Sequence, residues 1–126
     1  MSTRADDAIA GNQLSMMRRV VIVGFWPMVR LGLQALLHDA GVVLVVEAER
    51  GDIVEGLRVF RPHAVLLEHD DHTDEIATAI VTDFPWVTVI ACSSDRPTMR
   101  VYPPFHQGEW YRSRLTTQSL SAAIGA

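Results

Sequence analysis

Six residues that commonly ligate metals or move protons crowd into one short stretch: His69, Asp70, Asp71, His72, Asp74 and Glu75. Imidazole nitrogen together with carboxylate oxygen is the donor set of zinc and manganese sites, which makes this cluster a candidate metal centre. The same residues also suit the start of a helix, where carboxylates cap free N–H groups and complement the dipole. That structural reading is preferred, and no metal or other cofactor is assigned. A second group is aromatic. Phe25 and Trp26 adjoin a short β-branched run, and Tyr102, Phe105, Trp110 and Tyr111 lie near Pro103 and Pro104. Rings and prolines together make a rigid apolar surface, which either docks a ligand or partner or folds down over a sheet edge. Cys92, the only cysteine, closes the apolar run Val89-Ile90-Ala91, so it reads as a buried strand residue rather than a nucleophile.

Composition narrows the chemistry further. All 11 basic residues are arginines, and lysine is absent from the 126 residues, which excludes any lysine-dependent step. The net charge of −4 and the lack of a basic stripe give no support for broad contact with a nucleic-acid backbone. No apolar run approaches the roughly 20 residues of a membrane-spanning helix, and the N-terminus has no signal-peptide core. A cytoplasmic protein with no membrane contact is expected.

The elements that must position these residues follow from the hydrophobic pattern. Residues 1–17 are polar and small without a sustained period and read as a mobile leader, leaving 18–126 as one domain. Val20 to Val23, ending at Gly24, reads as a strand buried on both faces. Beyond Pro27, the spacing of Val29, Leu33, Leu36, Leu37 and Ala40 predicts an amphipathic helix that Gly41 terminates. The pattern repeats with strand Val42 to Ala48, a turn at Arg50 and Gly51, a helix from Asp52 as N-cap to Phe60, and strand Ala64 to Leu67. A helix over 73–84 then precedes strand Val87 to Cys92. Strands alternating with helices imply right-handed crossovers and a parallel, doubly wound α/β sheet. After Ser93, Pro97, Pro103 and Pro104 limit any helix to a short piece ending by about Tyr102. Glu109 to Tyr111 reads as a short edge strand, and Thr116 or Thr117 caps a last helix carrying Leu120, Ala123 and Ile124.

With these elements placed, RVVIVGFWPMVRLGLQALL resembles the opening of a response-regulator receiver domain of the LuxR/NarL type, through Val20 to Val23, Pro27, Val29, Arg30, Gly32, Leu33 and Ala35 to Leu37. RPHAVLLE at 61–68 and FPWVTVIACS at 84–93 resemble the third and fourth strands of that family. The resemblance implies a flavodoxin-like sheet of about five parallel strands in the order 2-1-3-4-5, with an irregular fourth helix region. It also implies where phosphoryl chemistry would lie. The family holds magnesium with two acids after the first strand, and this chain has Gly24 and Phe25 there, with no acid anywhere from 8 to 38. Glu68 stands at the acceptor aspartate, Ala91 at the hydroxyl with Ser93 two residues on, and Arg112 or Arg114 at the lysine.

The resemblance therefore implies a degenerate receiver, not an enzyme, in bacterial transcriptional signalling. It would act through homodimerisation or a partner protein and meet DNA only through a further domain outside this chain. Glu68, one methylene longer than aspartate, is open to a second role as an imitation of the phosphorylated residue paired with Arg112. Two alternatives stand beside this reading: a sensor of a small molecule docked near Phe25, Trp26, Glu68 and Trp110, and a metal protein built on His69 to Glu75.

Overall fold

Val20, Val21, Ile22 and Val23 are at most 1% exposed, because helices cover both sides of the strand they form. The computed structural model describes residues 18–25, 27–48, 51, 53–93 and 95–125. The expected leader, Trp26, the turn at Arg50 and the Asp52 cap lie outside them. The chain runs β1 (Arg18–Val23), α1 (Pro27–Asp39), β2 (Val42–Ala48), α2 (Ile53–Phe60) and β3 (Ala64–Glu68). It continues with α3 (Thr73–Asp83), β4 (Thr88–Cys92), β5 (Thr98–Tyr102), β6 (Tyr111–Arg114) and α4 (Thr117–Gly125). The strands form one sheet in the order β2-β1-β3-β4-β5-β6.

Alternation along the strands divides the core in two. Val20, Ile22, Ala64, Leu66, Ile90 and Cys92 pack with Leu33 and Leu37 of α1 and with Leu120 and Ile124 of α4. The intervening Val21, Val23, Val65, Leu67, Val89 and Ala91 pack with Ile53 and Leu57 of α2 and with Ala77, Ile80 and Val81 of α3. Period 2 in the strands meets period 3.6 in the helices, and β1, β3 and β4 each bury both faces. The expected α1 stripe is seen: Leu33 and Leu37 are buried, with Val29, Leu36 and Ala40 packed at its flank. Gly41 ends that helix at φ 88°, a left-handed conformation open to glycine at little steric expense. At the other end of the sheet, Thr116 caps α4, its hydroxyl accepting the Ser119 N–H at 3.0 Å.

One expectation is corrected. β1 pairs in parallel with β2 and β3, and β3 with β4, but β4–β5 and β5–β6 are antiparallel, so the sheet has six strands and is mixed. The physical reason is connection length. Only residues 93–97 join β4 to β5, whereas a parallel crossover takes a dozen or more. Thr98-Met-Arg-Val-Tyr then alternates, with Met99 and Val101 in the core under α1 and α4 and Tyr102 in the core under α3, so the segment is a strand where a short helix was expected. The predicted edge strand is present but shifted, starting at Tyr111 rather than Glu109.

Candidate functional site

The carboxyl ends of β1, β3 and β4 meet at one edge of the sheet, and the residues singled out by sequence divide there into separate groups. Gly24, exposed and at φ 84°, turns the chain out of β1. The turn lets Phe25 fold back into the core, where it is 7% exposed among Leu33, Cys92 and Met99. A phenyl ring thus occupies the ground beside β1 on the α1 face. An apolar cleft of about 260 Å³ runs past it, lined by Phe25, Val29, Leu33, Leu36, Cys92 and Leu115. Cys92 is buried, and that burial, with the Glu68 charge nearby, pushes its thiol up to about 12. It is not a nucleophile near neutral pH.

Glu68 ends β3, half-buried and opposite Cys92 on β4. The ladder continues from Cys92 to Met99 and Ser113, whereas Arg112 belongs to the neighbouring row Leu67–Ala91–Arg100–Arg112. Adjacent rows leave a sheet on opposite faces, and β3 and β6 are three strand spacings apart, about 14 Å. A Glu68–Arg112 pair, the second role left open for Glu68, does not fit that register. What Arg112 does face is Arg100, directly across the β5–β6 ladder.

The acidic loop after β3 is an architectural device. Asp70 Oδ1 accepts the His72 N–H at 2.8 Å, and the buried Thr73 hydroxyl accepts the Asp70 N–H at 2.7 Å while donating to the Glu68 carbonyl at 3.2 Å. His72 stands 4.0 Å from Glu75 on the solvent side. Asp74 turns away to Tyr102 and Arg100, taking the phenol hydroxyl and, at 3.0 Å, the Arg100 Nη1. The Tyr102 hydroxyl, helped by Arg100, holds the Asp74 carboxyl below its usual range, and burial raises the Tyr102 phenol. Asp70, His72 and Asp74 are thus engaged in different directions. Among the described residues no three His, Cys, Asp or Glu side chains gather as a metal site.

Of the aromatic surface expected from sequence, Phe105, Trp110 and Tyr111 are 72%, 42% and 47% exposed, whereas Tyr102 is 1% exposed. Tyr102 is a core residue because its position on β5 faces α3, with its hydroxyl reaching Asp74 at the helix start. Trp110 lies flat against Arg100, whose guanidinium carbon is 3.9 Å from the ring centre. Tyr111 points to the opposite end of the sheet, where it lines a groove of about 620 Å³ with Trp86, Pro103, Pro104, Arg19 and Ala123.

A further feature, beside Ala91, carries only a faint mark in the sequence. Arg96 in the β4–β5 turn, Arg100 on β5 and Arg112 on β6 surround a small polar cavity of about 120 Å³ with His69, Ser93 and Thr98. Alternation in Thr98 to Tyr102, extended to Tyr111-Arg-Ser-Arg, was the signal that would have paired the arginines. Among the described residues no helix is long and apolar enough to cross a membrane. No family model, no curated protein and no solved structure matches this chain.

Proposed function

We propose that the chain is a flavodoxin-like, receiver-type regulatory domain that has lost phosphoryl transfer and acts by protein–protein contact, most simply as a homodimer, in bacterial transcriptional signalling. The observation that carries this reading is the edge after β1. The order β2-β1-β3-β4, with helices on both faces, supports a receiver-like half-sheet. At the position where that architecture requires paired acids for a metal, Phe25 is buried in the core. With the paired acids missing after β1 and the neighbouring Glu47 carboxylate held by Arg30 and Gln34, a metal that would activate a phosphodonor over Glu68 lacks its usual ligands. A signal would then have to be carried by assembly, through surfaces such as Phe105, Tyr111 and Trp86, which remain exposed.

The test combines a small phosphodonor with magnesium, read by intact mass and by sedimentation velocity over a range of protein concentrations. No covalent adduct and a concentration-dependent dimer, unchanged by the donor, are expected. An adduct at Glu68, or a monomer at every concentration, overturns the proposal. A second reading, a sensor of small apolar molecules, is supported by the cleft beside Phe25. It predicts thermal stabilisation by apolar metabolites, diminished in Phe25→Ala.

A further inference from the structure

Arg100 and Arg112 stand directly opposite each other on one face of the β5–β6 ladder. Like charges in such a pair repel, and a protein that keeps them there needs something to offset them. Part of the offset for Arg100 is visible: Asp74 and the Tyr102 hydroxyl on one nitrogen, and the Trp110 ring beneath the guanidinium. These contacts fix Arg100 in place, with its side chain 19% exposed. Arg112 has no such arrangement; among the described residues its guanidinium takes no hydrogen bond and no ion pair. The third cation, Arg96, is exposed on the β4–β5 turn, which Ser93 and Asp95 brace through their side-chain hydrogen bond.

The next position in the arginine row is Ala91, whose small side chain leaves open the polar cavity of about 120 Å³ that the three arginines line. A water takes about 30 Å³ of liquid volume, so the space suits one tetrahedral oxyanion and not a whole nucleotide. Thr98 adds a hydroxyl donor and His69 an imidazole to the wall, beside Ser93, whose hydroxyl hydrogen goes to Asp95. The nearby acids each have partners: Asp74 holds Tyr102 and Arg100, Asp95 takes the Ser93 hydroxyl, and Glu68 stands at the row of Cys92. Planar guanidinium forks match phosphate oxygens two at a time, which lysine does not do.

We infer that this pocket binds the phosphate group of a small molecule, with Arg112 and Arg96 as the clamping residues and Arg100 as the fixed cation behind them. The ligand is held reversibly, and its remaining atoms lie outside the pocket over the β4–β5 turn. Binding bridges β4, β5 and β6, and so rigidifies the hairpin that ends the sheet. The inference does not rest on the receiver reading: it concerns reversible binding, where that reading is tested by covalent mass and assembly state.

Isothermal titration and thermal melts with inorganic phosphate, pyrophosphate and acetate, against sodium chloride at matched ionic strength, test it. Phosphate and pyrophosphate are expected to bind and raise the melting temperature, with acetate weaker. Arg112→Ala and Arg96→Ala sit at exposed positions and should fold; each is expected to weaken phosphate binding roughly 10- to 100-fold, the loss of one charge-assisted contact. Arg114→Ala, on the same strand but outside the pocket, should bind as the parent does. Equal stabilisation by chloride overturns the inference, as does unchanged phosphate affinity in both the Arg112 and Arg96 variants.

Discussion

Replacing Tyr102 by Phe removes one hydroxyl and little else, which makes it a clean test of how β5 is tied to α3. The phenol donates to Asp74, which also takes Arg100 Nη1 at 3.0 Å. A hydrogen bond to a charged acceptor contributes roughly 1.5–3 kcal/mol where water is excluded. The Asp74 side chain is 62% exposed, so water replaces part of that on loss, and about 1 kcal/mol is expected. For a domain of this size the melting temperature should fall by about 4 °C. A double-mutant cycle of Tyr102→Phe with Asp74→Ala, followed by urea unfolding, should return a coupling of about 1 kcal/mol.

The pH dependence has a definite sign. Because the folded Asp74 carboxyl is held below its usual range, its contribution is fully present above the unfolded value near 3.9. It is lost as pH falls through the lower folded value. The parent's advantage over Tyr102→Phe should therefore be flat from about pH 5 to 8 and shrink below about pH 4. At the other end, burial raises the Tyr102 phenol, so its contribution holds below the ordinary tyrosine value near 10 and is lost as pH rises through the higher folded one. A coupling within about 0.3 kcal/mol of zero at pH 7 would refute the tie between the two elements.

Phe25→Ala should cost about 3 kcal/mol by urea unfolding, the low end for a buried ring because the adjoining cleft lets the site relax; a loss under about 1 kcal/mol means the ring is not part of the core. Cys92, with its thiol pushed up to about 12, should react with a thiol reagent at pH 8 roughly a thousandfold more slowly in native protein than in denaturant. Native labelling within tenfold of the denatured rate contradicts the burial.

Local pattern carried most of the half-sheet. Valine-rich runs bounded by Gly24, Gly41 and Pro62 announce strands buried on two faces, and the spacing of Leu33, Leu36 and Leu37 announces the helix between them, because both depend on neighbours a few residues away. The hairpin after Cys92 was harder to read. Three prolines suggested irregular chain, while the alternation that makes Thr98 to Tyr102 a strand spans only five residues and resembles noise until a partner strand is known. The candidate site is legible in pieces: Phe25, Ala91 and Arg112 stand out by position, Arg100 only through the short alternation of Thr98 to Tyr102, and Arg96 carries no local signal.

Two properties belong to the amino-acid sequence by itself. No lysine exists to contact a phosphoryl group, and no acid lies between Asp7 and Asp39 to hold a metal after β1; neither statement depends on folding or register. The tertiary structure decided which side chains share a space. Strand register set Arg112 against Arg100 and over Ala91, and separated it from Glu68. Register is fixed by hydrogen bonds and core packing between strands remote in sequence, and a slip of one residue would have sent each of those side chains to the other face.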